Sequence, residues 1–201
     1  MKKIKYFFEF LIIFIFLLIF KIAGYRVASN LGNSIGKVVG PRFRSKKVII
    51  DNIKKFKPEI KEDEINKIVE KMWGNYGRIL AEYVYIPEFR KRRLDKYIKI
   101  EGLENLKKIK NSGKPTVFIS GHFNNFELMA LQIEKAGVNL TAIYRPLNNK
   151  YLNNTMEYIR KNYICKKQVK KGKSGSRELI KNYKDGSSIA LMIDQRVREG
   201  I

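Results

Sequence analysis

One segment of the sequence combines a histidine and a carboxylate at a spacing that could move protons. His122 is the single histidine of the chain, and Glu127 lies five residues later in the segment Gly-His-Phe-Asn-Asn-Phe-Glu. Five steps on one α-helix turn by roughly 500°, which would leave the two side chains about 140° apart. They can meet if His122 lies on a loop and Glu127 in the first turns of a helix, with Asn124 or Asn125 as the N-cap.

A histidine held by a carboxylate is the arrangement that a general base requires. Neutral imidazole accepts a proton near neutral pH, and a carboxylate on its other nitrogen fixes the tautomer and stabilises the imidazolium. The spacing alone is equally compatible with a histidine that caps a helix or is hydrogen-bonded in the core. A metal site built from several histidines and cysteines is excluded, because the chain has one of each, His122 and Cys165.

The elements that must position this segment alternate between strand and helix. Strands are predicted at Tyr97–Ile100, Thr116–Ser120, Leu140–Tyr144 and Ser188–Ile193. Helices are predicted at Asp63–Phe89, Leu103–Lys110, Asn125–Lys135, Tyr151–Asn162 and Ser176–Tyr183. Strands separated by helices of this length predict an α/β fold with a mostly parallel central sheet flanked by helices. His122 would then follow the carboxyl end of a strand, where such sheets bind ligands.

The N-terminal segment is predicted to be a membrane-anchor helix over residues 1–24, followed by a main domain over 25–201. Tyr6–Phe20 is apolar except for Glu9, and lysines precede and follow it. The run is slightly short for a helix that spans the hydrocarbon core, so it could span or lie in the interface. A buried core helix and a cleaved signal peptide are the alternatives, although no A-x-A-like cleavage site follows. The basic residues downstream predict a cytoplasmic main domain.

The charge of the chain indicates an acidic partner without identifying it. Lys and Arg number 42 against 19 Asp and Glu, a formal net charge of +23. Nucleic acid, anionic lipid and an acidic carrier protein all fit such a charge. One basic cluster is a candidate docking patch, or else a solvated loop: Lys166, Lys167, Lys170, Lys171 and Lys173.

Four ordered blocks resemble the lysophospholipid acyltransferase-like superfamily, and within it the lipid A biosynthesis lauroyl/myristoyl acyltransferases. They are Ile100–Leu106, which is similar to a G-x-E-like segment, Gly121–Glu127 as an H-x4-E motif, Tyr144-Arg145-Pro146, and Asp194-Gln195. Glycerolipid acyltransferases usually carry H-x4-D, so Glu127 favours the lipid A branch. The blocks and the N-terminal anchor together are more specific than any single motif.

The resemblance implies transfer of an acyl chain from acyl-acyl carrier protein to a hydroxyl of a lipid A precursor, with no metal or bound cofactor. His122 would deprotonate the hydroxyl and Glu127 would orient His122. Arg145 would bind an acceptor phosphate or the developing oxyanion, and Asp194 would brace Arg145 or line the site. Gly121 would permit a close backbone approach, and Asn124 is placed among the substrate-binding residues. The implied partners are acyl carrier protein, the lipid A precursor and anionic lipids at the cytoplasmic side of a bacterial inner membrane.

The chain departs from the family pattern at its end. Family members continue beyond the D-Q block, whereas this sequence stops at Gly200-Ile201, so the C-terminal part of the domain is expected to be missing and the product could be inactive. Two alternatives remain open. One is an acyltransferase for a glycerophospholipid or a phosphoinositide mannoside, and the other is a membrane-tethered basic nucleic-acid-binding protein.

Overall fold

A computed structural model describes residues 2–194 and divides the chain into two compact units. One unit is Ile12–Tyr85, and the other combines the residues up to Leu11 with those from Ile86 onward. The α-helices are α1 Lys2–Ala23, α2 Tyr25–Val39, α3 Lys46–Phe56, α4 Glu62–Glu82, α5 Ile86–Arg90, α6 Leu103–Ser112, α7 Glu127–Lys135, α8 Lys150–Ile159 and α9 Lys173–Lys184. The strands are β1 Val117–Ser120, β2 Leu140–Tyr144, β3 Lys167–Lys170 and β4 Ser188–Met192. Short 3-10 turns lie at Gly40–Arg42, Tyr83–Tyr85 and Asp95–Tyr97, and a π-helical turn at Arg160–Ile164 follows α8.

The sheet confirms the predicted α/β fold with a parallel sheet flanked by helices. Its order is β1-β4-β2-β3 and every pairing is parallel. The strand that comes last in the described chain therefore lies inside the sheet, between β1 and β2. Leu140, Thr141 and Tyr144 of β2 are buried, as expected of a parallel strand covered on both faces. Because the strands are parallel, the segments that follow β1, β4 and β2 all leave the same edge of the sheet.

The unit Ile12–Tyr85 is helical, and its centre is the packing of α2 against α4. Gly36 and Gly77 meet so closely that a Cβ on Gly77 would lie 2.9 Å from the Cα of Gly36. Such a contact brings two helix backbones together as only small residues allow. The Ser29 hydroxyl donates a hydrogen bond of 2.7 Å to Glu82 across this packing, and the Arg78 guanidinium donates one of 2.9 Å to the Ser29 hydroxyl. Within the described part of the chain, α1 is the helix long and apolar enough to cross a membrane.

Several sequence-based assignments differ from the structure. The single helix predicted over Asp63–Phe89 is divided into α4, the 3-10 turn Tyr83–Tyr85 and α5. The predicted strand Tyr97–Ile100 is wrong: a 3-10 turn ends at Tyr97, and the next residues pair with no strand in the described range. The helix after His122 begins at Glu127 rather than at Asn125, with Phe126 at the N-cap position. The lysine-rich segment contains the edge strand β3, which pairs with β2. The sequence does not predict that strand, because three of the four residues Lys167–Lys170 are polar and do not form the apolar run of a buried strand.

Candidate active site

The loop between β1 and α7 carries the predicted proton acceptor. His122 is the second residue after β1, and Glu127 is the first residue of α7, so the predicted division between loop and helix is confirmed. The loop turns tightly, because the Phe123 amide donates a 2.9 Å hydrogen bond to the Gly121 carbonyl and Asn124 has a positive φ of 43°. The imidazole of His122 lies edge-on to the Phe126 ring at 4.7 Å between centroids. The ring is therefore held on one side by a rigid aromatic neighbour.

The carboxylate that contacts the histidine belongs to Asp194, which follows β4. His122 Nδ1 lies 2.8 Å from Asp194 Oδ1, and the backbone N–H of His122 donates to Asp194 Oδ2 at 2.9 Å. The hydrogen bonds from the His122 backbone and side chain lower the pKa of Asp194 below its usual range, so Asp194 is ionised at neutral pH. Because an ionised carboxylate can only accept hydrogen bonds, Nδ1 is the nitrogen that carries the proton in the neutral imidazole, which leaves the lone pair on Nε2. A neutral imidazole in that tautomer is oriented to accept a proton at Nε2.

Gly121 makes room for this contact. A Cβ placed on Gly121 would lie 3.2 Å from Asp194 Cγ and 3.0 Å from Phe123 Cε2. Both separations are shorter than ordinary van der Waals contact, so any side chain at this position would push the carboxylate or the Phe123 ring away. The groups that lie close to Gly121 are the side chains of Asp194 and Phe123, and the expected close approach of the backbone stays a prediction.

Glu127 does not contact His122 among the described residues, which corrects the expectation that Glu127 holds the imidazole. Its carboxylate Oε1 instead accepts two hydrogen bonds from Arg160. One comes from Nε at 2.8 Å, and the other comes from Nη2. Both side chains are largely buried, at 8% exposure for Glu127 and 14% for Arg160. A buried carboxylate requires a partner of opposite charge, and Arg160 lies at the start of the π-helical turn, which aims its guanidinium inward. Any role of Glu127 in orienting the site therefore acts through Arg160.

Arg160 also contacts the end of β2. Its guanidinium carbon lies 5.6 Å from the centre of the Tyr144 ring, within the range of a cation–π contact. Burial raises the pKa of the Tyr144 hydroxyl above its usual value, so the phenol is neutral. The Glu127–Arg160 pair thus links the start of α7 to the carboxyl end of β2.

The remaining predicted binding residues lie at the same edge of the sheet. Arg145 directly follows β2, is exposed, and has no hydrogen-bond or ion-pair partner within residues 2–194. β2 is the neighbour of β4, so Arg145 and Asp194 leave adjacent strands. The predicted bracing of Arg145 by Asp194 is not formed, because both Asp194 oxygens bind His122. A role of Asp194 in lining the site stays a prediction. Asn124 is exposed on the loop, and Gln195 of the D-Q block lies outside the described residues.

Comparison with known proteins agrees with this arrangement. The model of one family, described as bacterial lipid A biosynthesis acyltransferase, matches residues 1–200. This chain belongs to that family. It is 24% identical over 173 residues to the lipid A biosynthesis palmitoleoyltransferase of Escherichia coli (strain K12), covering 85% of this chain and 55% of that protein. It is 28% identical over 129 residues to the lipid A biosynthesis lauroyltransferase of the same strain, covering 62% of this chain and 41% of that protein.

These similarities are distant and partial. The chain spans about half the length of the curated relatives that it matches. A lipid A biosynthesis acyltransferase of Shigella flexneri gives the same 24% identity and the same coverage as the palmitoleoyltransferase. No solved structure matches the chain significantly.

Arg160 is the site residue that sequence reasoning missed. It lies inside a predicted amphipathic helix, where a single arginine is usually solvated, and no local motif marks it. One argument could have identified it. A buried carboxylate at the start of a helix requires a cation nearby, and the helix predicted over Tyr151–Asn162 contains few basic residues. In the structure Arg160 supplies that charge.

Other side chains that could do chemistry do not compete with this site. Burial raises the pKa of the Cys165 thiol to about 12, so it is not a thiolate nucleophile at neutral pH. In residues 2–194, no three His, Cys, Asp or Glu side chains converge as a metal site would require. The expectation that the reaction needs no cofactor stays a prediction.

Proposed function

We propose that this protein transfers a fatty acyl chain from acyl-acyl carrier protein to a hydroxyl group of a lipid A precursor. The observation that carries the proposal is the His122–Asp194 pair at the carboxyl ends of β1 and β4. An imidazole whose Nδ1–H is held by an ionised carboxylate is a general base that can accept a hydroxyl proton at Nε2. Membership of the lipid A acyltransferase family supports the substrate class.

The proposed reaction needs no acyl-enzyme. His122 Nε2 takes the proton of the acceptor hydroxyl while its oxygen attacks the thioester carbonyl carbon. The carbonyl π-electrons move onto oxygen, giving a tetrahedral oxyanion. When the oxyanion collapses, the carbon–sulfur bond breaks, and the leaving thiolate takes the proton back from the imidazolium. Asp194 stabilises that imidazolium, as the carboxylate does in a catalytic triad.

Arg145 is proposed to bind an anion of the substrate. Its exposed guanidinium leaves the sheet on the strand next to Asp194, and a guanidinium suits a phosphate or a developing oxyanion. Glu127 is a positioning residue in this scheme, because it holds Arg160 beneath the end of β2. Gly121 permits the His122–Asp194 contact, and Asn124 is kept as a candidate binding residue of the loop.

The place of the reaction and the other partners belong to the same proposal. A chain with a formal net charge of +23 suits an acidic carrier protein, a phosphorylated acceptor and anionic lipids alike. We place the site on the cytoplasmic side of the bacterial inner membrane, with the edge strand β3 and its lysines as the candidate surface for acyl carrier protein.

The experiment is an acyl-transfer assay with membranes that contain the protein, labelled acyl-acyl carrier protein and a lipid A precursor. We expect His122→Ala to lower the rate by at least about 100-fold, as loss of a general base does, and Asp194→Asn to lower kcat more than it raises KM. The matched control is Asp185→Asn, because Asp185 is exposed and precedes β4, at the other edge of the sheet. Equal transfer by wild type and His122→Ala would contradict the mechanism, and transfer only to a glycerophospholipid would contradict the acceptor.

A further inference from the structure

The helical unit Ile12–Tyr85 contains a pocket of about 260 Å³ at the start of α3. It is lined by residues from the end of α2, from the turn that follows α2, from the first turn of α3 and from α4. The residues of α4 are spaced by three or four, as on one face of a helix: Asn66, Val69, Glu70 and Trp73. All of the lining residues belong to this one unit, so the pocket is a feature of the helical unit by itself.

The Trp73 ring forms a packed wall of this pocket. Trp73 is 9% exposed, and a Cβ placed on Gly40 would lie 2.8 Å from Trp73 Cγ, which is closer than ordinary van der Waals contact. The backbone at Gly40, where the 3-10 turn begins, therefore lies directly against the indole. Within residues 2–194 the indole Nε1 has no hydrogen-bond partner, so this pocket-lining side chain has a donor that no described group satisfies.

Among the described residues, the pocket is lined by three cations and one carboxylate. Lys37 Nζ lies 2.7 Å from Glu70 Oε1, so these two charges compensate each other. Arg44 and Lys46 are exposed and form no ion pair with a side chain of residues 2–194. Two uncompensated positive charges therefore lie at one small site, which attracts anions. The start of α3 adds to this attraction, because the N-cap Ser45 makes no side-chain capping bond and the first turn contains no acidic residue.

An exposed aromatic ring adjoins these cations in the sequence. Phe43 is 78% exposed and lies between Arg42 and Arg44. Arg42 donates a 2.8 Å hydrogen bond to the Val38 carbonyl at the end of α2, whereas Arg44 lines the pocket. Transfer of an exposed phenylalanine from water to an apolar phase is favourable, and apolar side chains among basic ones are typical of segments that lie at an anionic membrane surface. The ring therefore favours a lipid over a soluble phosphate or a nucleic acid as the source of the anion.

We propose that this pocket binds the phosphate headgroup of an anionic phospholipid. Arg44 and Lys46 bind the phosphate, as a guanidinium and an ammonium both do, and Phe43 inserts between the acyl chains beside the bound headgroup. The volume of about 260 Å³ is below the roughly 300–1,000 Å³ of pockets that hold a drug-sized ligand, so it suits a headgroup and not a whole lipid. This inference goes beyond the proposed acyl transfer, because it concerns the helical unit and none of the candidate active-site residues.

Fluorescence of the intact protein tests the proposal. Trp73 is the single tryptophan of the chain, so its emission reports on the wall of the pocket. The full chain in maltoside micelles is mixed with phosphatidylglycerol that carries brominated acyl chains, which quench a nearby indole, and in parallel with brominated phosphatidylcholine. The double variant Arg44→Gln/Lys46→Gln removes the two uncompensated charges. The matched control is Lys54→Gln/Lys55→Gln, which removes two charges from the last turn of the same helix.

The control charges are far enough from the pocket to be screened. From Lys46 to Lys54 the helix rises about 12 Å, which exceeds the Debye length of about 10 Å at 0.1 M salt. We expect brominated phosphatidylglycerol to quench wild-type Trp73 more strongly than brominated phosphatidylcholine does. The double variant Arg44→Gln/Lys46→Gln should reduce this preference by about tenfold or more, because each cation near an anionic headgroup contributes about fivefold. The control should change it by less than about threefold.

Several outcomes would overturn the proposal. Equal loss of the preference in both double variants would mean a diffuse attraction and no pocket, and equal quenching of the wild type by the two lipids would exclude the anion. Relief of quenching by inorganic phosphate at the concentration of the lipid, or by a single-stranded oligonucleotide, would replace the lipid by that ligand. Phe43→Ser should lower quenching by both lipids, and unchanged quenching would exclude insertion of the ring. All of these variants replace exposed side chains, so each should unfold within about 2 °C of the wild type.

Discussion

The ion pair between Glu127 and Arg160 provides the sharpest test of how the site is supported. Glu127 begins α7, and Arg160 reaches it from the π-helical turn after α8. Replacing Arg160 by methionine keeps most of the unbranched side-chain volume but removes the charge. The buried carboxylate of Glu127, 8% exposed, would then have lost the cation that neutralises it.

The size of the effect follows from burial. Removing one member of a buried ion pair lowers the free energy of unfolding by about 3–5 kcal/mol, because an uncompensated charge remains. Arg160 is 14% exposed, so the lower end, about 3 kcal/mol, applies. For a chain of 201 residues, each kcal/mol shifts the Tm by about 2–4 °C. We therefore expect Arg160→Met to lower the Tm by about 6–12 °C.

A double-mutant cycle separates the pair from its surroundings. Glu127→Gln alone should also lower the Tm, since Arg160 would be left buried without a carboxylate. The double variant Glu127→Gln/Arg160→Met removes both charges, and replacement of both partners is often close to neutral. We expect the double variant to be more stable than Arg160→Met, with a coupling energy of about 1–3 kcal/mol.

Thermal unfolding of the detergent-solubilised protein, followed by circular dichroism, measures these shifts. Arg145→Met is the matched control, because Arg145 is exposed and such changes stay within about 0.5 kcal/mol. If Arg160→Met unfolds within about 2 °C of Arg145→Met, or if the double variant is the least stable of the set, the pair does not support the site as argued.

Three further changes test other contacts. Gly121→Ala should lower kcat about tenfold with little change in Tm, because the added Cβ would lie 3.2 Å from Asp194 Cγ and displace the carboxylate from His122; an unchanged kcat in the acyl-transfer assay would contradict this. Gly77→Ala should lower the Tm by about 3–10 °C through overpacking of α2 on α4. An unchanged Tm would mean that the two helices can move apart to admit a methyl group without a loss of stability. Tyr151→Ala should speed tryptic cleavage after Lys5 several-fold by releasing the first turns of α1, whereas Tyr158→Ala, exposed on the same helix, should cleave like the wild type.

Much of the fold could be predicted because its strands are short apolar runs between helices of clear period. Leu140–Tyr144 matches its predicted bounds fully, because a short apolar and β-branched run is a signal that can be recognised locally. The strand β3 could not be predicted in this way. Its backbone hydrogen bonds are made with β2, which is distant in sequence. The lysine side chains of β3 therefore give no local sign that the segment is a strand.

The sequence pointed to His122, Glu127 and Asp194 as candidate site residues, but it did not predict which side chains they contact. The spacing of His122 and Glu127 made a contact between them plausible, because both lie on one loop–helix segment. The structure pairs each with a residue from elsewhere, Asp194 and Arg160. Local spacing restricts which side chains can meet, whereas the order of strands decides which of them do, and no local pattern specifies that β4 lies beside β1.

The strand order has a consequence for the nascent chain. β1 is synthesised first, but its partner β4 is the last strand of the described chain, and β4 also joins β1 to the β2–β3 pair. Until the ribosome has released Ser188–Met192, β1 has no neighbour and β2 has one bare edge. Unpaired strands of this kind are templates for association with other chains. A chaperone that shields apolar segments during translation would therefore be needed most over the interval of roughly seventy codons between the two strands.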